Sequence, residues 1–349
     1  MPVFQYSNPQ RIHWGAGSLG NLREELGRLQ SRRVVLVTTR SLLETDLPAR
    51  VRQAMADVES PLTVQITQHA PVHEVQAAVA RASESEVDGV ISLGGGSAID
   101  AAKMVGVRVA DRERHADRGL PHVAIPTTLS AAELAAGAGF TDAGGTKSGI
   151  RDPRLLPDAV IYDAELTLAT PMPLWLSTGI RALDHAVEGV LAEGEHPFND
   201  VMALEAVRRL FKVLPAVKAK PSDLTRRTEC QLAAWFSFTL PGASAAGLSH
   251  VMGKQIGARH GIPHGVTSCL LLPHVMRYIE ETEPERMAEL DRTTGGNAAV
   301  DVERLISRLG LPQHIAAYRI GEQELQRAAS ELAGKYPEAD LLKIYLAAL

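Results

Sequence analysis

Two hydrophobic patterns divide the chain. Through the first half, short β-branched runs recur at 34–38 (VVLVT), 62–66 (LTVQI), 89–93 (GVISL), 122–125 (HVAI) and 159–162 (AVIY). Several are apolar at nearly every position, the pattern of a parallel strand covered by helices on both faces. Between them, 47–57 and 74–84 carry apolar residues at helical spacing, and this alternation predicts a doubly wound α/β domain. After about residue 164 the Val-rich runs stop. Segments 180–192, 200–212, 225–239, 244–258, 266–281, 301–309 and 323–333 are amphipathic or wholly apolar at helical spacing, so the second half reads as all-helical. Pro171 and Pro173 in ATPMPLW (169–175) mark the expected hinge, because proline interrupts helices and restricts the residue before it. With the boundary near 165, the expected domains are 1–164 and 165–349. The charged runs DRERHADR (111–118) and EETEPER (280–286) read as solvated faces or loops.

Composition narrows the class. The 349 residues are 45% apolar, 22% charged and 4% aromatic, which suits a globular chain and excludes a disordered or fibrous one. Acidic residues outnumber basic ones 41 to 36, so no global positive field favours nucleic acid as a partner. Cys230 and Cys269 are too few for a disulfide framework or a CxxC zinc site and are expected as free thiols of a reducing compartment. The opening MPVFQYSNPQRIHWGAG lacks the apolar core of about 7 to 15 residues that an export signal needs. The most apolar stretches, VVLV (34–37) and CLLL (269–272), fall short of the roughly 18 residues of a membrane span. A cytoplasmic protein with no membrane partner is expected.

Candidate chemistry begins at GVISLGGGSAIDAAK (89–103), where a strand runs into Gly94, Gly95, Gly96 and Ser97 and then a helix-forming stretch. Glycines let the backbone approach an anion, and the unsatisfied N–H groups opening the helix carry positive partial charge, so a pyrophosphate fits there. The spacing matches neither GxGxxG nor a P-loop, and a tight structural turn is the alternative reading. Thr127 and Thr128 follow the strand at 122–125, at a carboxyl end of the sheet where open α/β sheets bind ligands. Their hydroxyls could hold ribose or phosphate oxygens, or simply begin a turn. Thr39 and Arg40 in VLVTTRS (35–41) end another strand without the acidic residue that binds an adenosine 2′-hydroxyl. Arg40 could accept a 2′-phosphate instead, which leans toward NADPH or dual use.

GGGSAIDAAK (94–103), PTT (126–128), GIRALDHAVEG (179–189) and GLSHVMGKQIGARHGIPHG (247–265) resemble, in order and over nearly the whole chain, the iron-containing (group III) alcohol dehydrogenases. GIRDPRLLPDAVIYDAELTLATP (149–171), HAPVHEV (69–75) and the short length are similar to the maleylacetate reductase branch. The resemblance implies the dehydroquinate synthase-like fold, with a dinucleotide-binding α/β domain followed by an all-α domain. It also implies NADH or NADPH as cofactor, a homodimer, and Lys147 close to the cofactor. In the metal-dependent members, an Asp and a His four residues later on one helix, with two His from a second helix and the loop after it, hold Fe²⁺ or Zn²⁺. His185, His250 and His264 match the three His positions, but the Asp position is Arg181. A guanidinium has no lone pair to give and stays protonated. Asp184 projects about 100° from His185 and is expected to be solvated or in a salt bridge rather than on the same ion. Lys254 stands where the family usually has a further His near the reacting carbon, one helical turn after His250. His260, in the same turn but off the ligand register, reads as structural.

Both substitutions favour a small anionic substrate. Arg181 could take a carboxylate in a bidentate grip and Lys254 could donate the proton that completes reduction. The expectation is an NAD(P)H-dependent, metal-independent reductase of a small keto or unsaturated acid of the maleylacetate kind. One alternative is a non-redox lyase, isomerase or cyclase using the cationic pocket. Another is a metal-dependent alcohol dehydrogenase in which the three His suffice, with an open position.

Overall fold

The computed structural model describes residues 9–112, 117–144, 147–240, 247–334 and 336–349. Residues 244–246 of the expected helix 244–258, residues 113–116 of the first charged run and the first eight residues of the chain lie outside them. The described residues fall into two units. One holds the chain up to Pro171 together with Ser222–Leu232, and the other holds Met172–Pro221 and Ala233–Leu349.

In the first unit, β1 (Arg11–Trp14), β2 (Arg33–Thr39), β3 (Glu59–Ile66), β4 (Gly89–Gly94), β5 (His122–Pro126) and β8 (Ala159–Tyr162) form one sheet in the order β1-β8-β5-β4-β2-β3. Every pairing in it is parallel. Alternation along β2 explains why both sheet faces must be covered. Val34 and Leu36 enter one core with Leu22, Leu26, Val51 and Met55, whereas Val35 and Val37 enter the other with Val75, Val79, Met104 and Val105. The covering helices are α1 (Leu22–Arg28) and α3 (Leu47–Met55) on the first face and α4 (Val72–Glu84) and α5 (Gly96–Arg112) on the second, with a single turn, α2 (Arg40–Leu43), after β2. Strand order reverses between β2 and β4, and such a switch point opens a ligand crevice at the carboxyl ends of its strands. Thr39 and Gly94 sit at those ends. The five expected strands are present. The short, partly exposed β1 and the antiparallel hairpin of β6 (Gly137–Thr141) and β7 (Lys147–Arg151) are additions to the expected set.

The second unit is helical. It is built from α6 (Met172–Val190), α7 (Pro197–Ala219), the end of α8 (Leu224–Phe236), α9 (Leu248–His260), α10 (His264–Thr282), α11 (Pro284–Thr294), α12 (Ala298–Leu309), α13 (Glu322–Leu332) and α14 (Glu338–Ala347). One expectation changes. Helix α6 begins at Met172, so Pro173 lies in its first turn, where a missing N–H costs nothing, and of the expected hinge only Thr170 and Pro171 are non-helical, Ala169 ending a 3₁₀ turn. The run 280–286 is largely exposed, as a solvated face should be, and spans the single-residue break at Glu283 between α10 and α11. Among the described residues no helix is long and apolar enough to cross a membrane.

Candidate active site

The glycine run forms the expected strand-to-helix turn. Gly94 closes β4 at φ +147°, a conformation that L side chains rarely adopt, and Gly95 is the one residue before α5 begins at Gly96. A Cβ on Gly95 would lie 3.0 Å from Thr128 Cγ2, and one on Gly96 would lie 3.5 Å from Ser130 Oγ. Thr128 and Ser130 therefore stand over the turn, and their buried hydroxyl oxygens have no hydrogen-bond partner among the described residues. Ser97 Oγ accepts the His69 N–H at 2.9 Å, which leaves its own proton to donate. His69 and Ala70 both adopt positive φ (68° and 46°), a strained pair held in place by this bond. Orphaned hydroxyls, a helix N-terminus and side-chain-free backbone fit the pyrophosphate and ribose of a dinucleotide.

The other residues expected around a cofactor are placed less uniformly. Thr127 is buried, its N–H donating to Gly94 O at 2.9 Å and its carbonyl accepting from Thr170 Oγ1 at 2.7 Å, so its backbone serves the fold. Thr39 Oγ1 meets Ser41 Oγ at 3.2 Å. Arg40 is exposed and ion-paired with Glu44 at 3.3 Å on the same turn. Lys147 opens β7 and is half-buried rather than a free surface lysine. Burial, and secondarily the Lys147 charge, pushes the His69 imidazole down to about 4.

In the helical unit, α6 delivers Arg181, Asp184, His185 and Glu188 from one buried stretch. Asp184 is not solvated. Its Oδ2 accepts from Arg181 Nη1 at 2.8 Å, Ser268 Oγ at 2.6 Å and Ser249 Oγ at 3.1 Å. Arg181 Nη1 also donates to Ser268 Oγ at 3.2 Å, and Arg181 Nη2 donates to His250 Nδ1. The guanidinium thus spends donors on protein partners, and the free bidentate fork expected for a substrate is partly occupied. His185 packs edge-on to Phe238 (5.0 Å between ring centroids), His250 lies 6.4 Å from His185, and His250 stacks on His264 at 6.1 Å. Arg181 and the three imidazoles therefore form one cluster. Lys254 is exposed on α9, and no contact joins it to that cluster among the described residues.

Two close approaches set this geometry. A Cβ on Gly265 would lie 2.7 Å from the Ser177 carbonyl, so only glycine lets the first turn of α10, with His264, rest directly on the α6 backbone. A Cβ on Gly247 would lie 2.6 Å from Glu188, whose carboxyl oxygens accept the Gly247 and His250 N–H groups at 3.2 and 2.9 Å. Glu188 thereby caps the start of α9 and fixes His250. Burial, then the Asp184 charge, pushes the Glu188 carboxyl well above the usual carboxylate range. Burial also raises Asp184, against the pull of Arg181. Burial first and Arg181 second hold His185 well below the usual imidazole range, so it is neutral at neutral pH. Glu188, Ser249 and Ser268 carried no sequence signal of this role.

The donor set does not fit a divalent cation. Where a ligating carboxylate would neutralise charge, a guanidinium without lone pairs donates to one of the three imidazoles. Among the described residues no group of three or more His, Cys, Asp or Glu side chains is arranged to hold a metal ion.

Comparison with known proteins agrees with this architecture. A model of the iron-containing alcohol dehydrogenases matches residues 9–164, and one of the C-terminal part of the Fe-containing alcohol dehydrogenase family matches residues 175–337. A maleylacetate reductase of Rhizobium sp. (strain MTP-10005) is 34% identical over 340 residues, covering 97% of this chain and 93% of that protein. A maleylacetate reductase of Sphingobium indicum is 31% identical over 331 residues, covering 94% and 90%. The crystal structure of maleylacetate reductase from Agrobacterium tumefaciens superposes with a TM-score of 0.87 at 29% identity, covering 100% of this chain and 99% of that one. The chain is an oxidoreductase that belongs to the iron-containing alcohol dehydrogenase family, on its maleylacetate reductase-like branch.

Proposed function

We propose that the protein is an NAD(P)H-dependent reductase of a small anionic keto or unsaturated acid of the maleylacetate kind, working without a bound metal. One observation carries the reading: at the place of the family's carboxylate ligand, Arg181 is anchored to Asp184 and Ser268 and bonded to His250. The names of its relatives supply the substrate class. Gly95, Gly96, Ser97 and Thr128, with Thr39, Thr127 and Lys147 around them, would hold the dinucleotide, and the exposed Arg40 would meet a 2′-phosphate where one is present. When bound, the reduced nicotinamide supplies the hydride. Arg181 would stabilise negative charge growing on the substrate oxygen, a fixed charge in a buried setting that needs no reorganisation. The proton that oxygen needs would come from Lys254 Nζ, one helical turn after His250, once that exposed side chain turns toward the substrate. His185, His250 and His264 would line the substrate, His185 as a neutral ring. The two buried thiols, Cys230 and Cys269, support a cytoplasmic setting, and the family resemblance suggests a homodimer.

The test is NADH and NADPH oxidation with maleylacetate and related oxo-acids, in the wild type, Arg181→Ala and Lys254→Ala, beside elemental analysis of protein purified without chelator. Arg181→Ala should mainly raise KM for the acids and Lys254→Ala should mainly lower kcat. Variants indistinguishable from the wild type would remove these roles, and stoichiometric iron or zinc would overturn the metal-free route.

A further inference from the structure

Asp100 and Lys103, in the back half of GGGSAIDAAK, have no part in the site described so far. Three residues apart on α5, they project from the same side of the helix, and both reach the segment that follows β5. The Lys103 side chain is fully buried. Its ammonium donates to three main-chain carbonyls, Ala132 O at 2.5 Å and Ala135 O and Gly137 O at 2.8 Å each. Asp100 lies 3.6 Å from that ammonium and accepts the Gly139 N–H at 3.0 Å. Tyr162 Oη donates to Glu133 Oε1 at 2.7 Å, holding the same segment at a further point.

Residues 127–136 have little regular structure of their own beyond a short 3₁₀ turn at Ala132–Leu134, yet they begin with Thr127, Thr128 and Ser130. Burying an ammonium is unfavourable unless its donors are all used. Here two carbonyls of an irregular segment and that of Gly137, the first residue of β6, supply the bonds, so the charge fixes the path of the backbone in a way that an apolar side chain of equal volume could not. We propose that Lys103 and Asp100 are positioning residues for the dinucleotide: they clamp 132–139 to α5, so that the Thr128 and Ser130 hydroxyls stand over Gly95 and Gly96 before any ligand arrives. The inference rests on the cofactor reading above and adds to it residues that touch no ligand.

The test is the dissociation constant of NADH and NADPH for the full chain, by fluorescence titration, in the wild type, Lys103→Met and Asp100→Asn. Both variants should bind dinucleotide at least about tenfold more weakly, the equivalent of one hydrogen bond out of place, with KM for the acid and kcat at saturating dinucleotide close to the wild type. In Lys103→Ala, added methylammonium should restore part of the affinity by refilling the carbonyl cage, a rescue that a role in packing alone would not show. Unchanged affinity in Asp100→Asn and Lys103→Met overturns the clamp, as does a lack of rescue. If Lys103 variants fail to fold, Asp100→Asn decides. If the wild type binds neither dinucleotide, the cofactor reading fails, and hydrogen exchange over 132–139 then judges the clamp by itself: faster exchange in Asp100→Asn supports it and unchanged exchange overturns it.

Discussion

His122 opens β5 with its Nε2 2.8 Å from Ser92 Oγ, inside the parallel sheet. Burial, with a smaller contribution from the Lys103 charge, pushes its pKa down to about 3. A depressed imidazole contributes stability that is present above its unfolded value of about 6.5 and is lost as pH falls toward the folded value, because only the unfolded chain takes up the proton. The expected slope from this group is about 1.4 kcal/mol per pH unit between roughly 6.5 and 3. His122→Gln should flatten the fall in stability across that window when both proteins are unfolded by urea at a series of pH values, and identical pH profiles would refute the assignment. Other single residues were legible to different degrees. Arg181, His185, His250 and His264 were placed by the family resemblance, with the helical spacing of Arg181 and His185 consistent with it. The Asp184 carboxylate could be turned away from a shared ion on helical geometry, but its partners could not be named, since Ser249 and Ser268 lie 65 and 84 residues away. Lys254 rested on the family's pocket position one helical turn after His250, and neither that position nor the register reveals that its side chain is exposed.

At the scale of elements, legibility followed burial. Strands β2, β4, β5 and β8 are buried along most or all of their length, so their sequences are continuous apolar runs. RIHW of β1 is partly exposed, and GAGFT and KSGIR of β6 and β7 are rich in glycine and polar residues, so nothing in them exceeds the background of a loop. Helix α11 buries only Met287 and Leu290, too few to impose a period. Contacts between helices were invisible for another reason: Gly265 looks like any glycine near a turn until the α6 backbone is seen against it. Gly265→Ala should destabilise the helical unit by about 1–3 kcal/mol through overpacking and displace His264 with the first turn of α10. Urea unfolding would report the first effect, and a raised KM for the acid the second. A variant as stable and active as the wild type would mean that α10 can slide along α6 without consequence.

At the scale of the molecule, the first unit is not one continuous piece of chain. Ser222–Leu232 belongs to it, and within that segment the buried Arg227 donates through Nη1 to Thr167 O and Oγ1 at 2.9 and 3.1 Å. A fragment ending at Pro171 would therefore lose both Arg227 bonds, at a cost of about 1.5–3 kcal/mol for hydrogen bonds to a charged group, although the Thr167 carbonyl keeps the Thr170 N–H at 3.0 Å. Residues 1–171 expressed alone should melt well below the intact chain or bind a hydrophobic dye, and a fragment as stable as the parent would show that the returning segment is dispensable. The same return path bears on birth at the ribosome. Synthesis must run on for about 60 residues after Pro171 before the missing piece exists, which at 5–20 residues per second is a delay of roughly 3–12 s. During that interval the nascent unit waits without the Arg227 bonds to Thr167, a window in which a chaperone has something to hold and a protease something to cut.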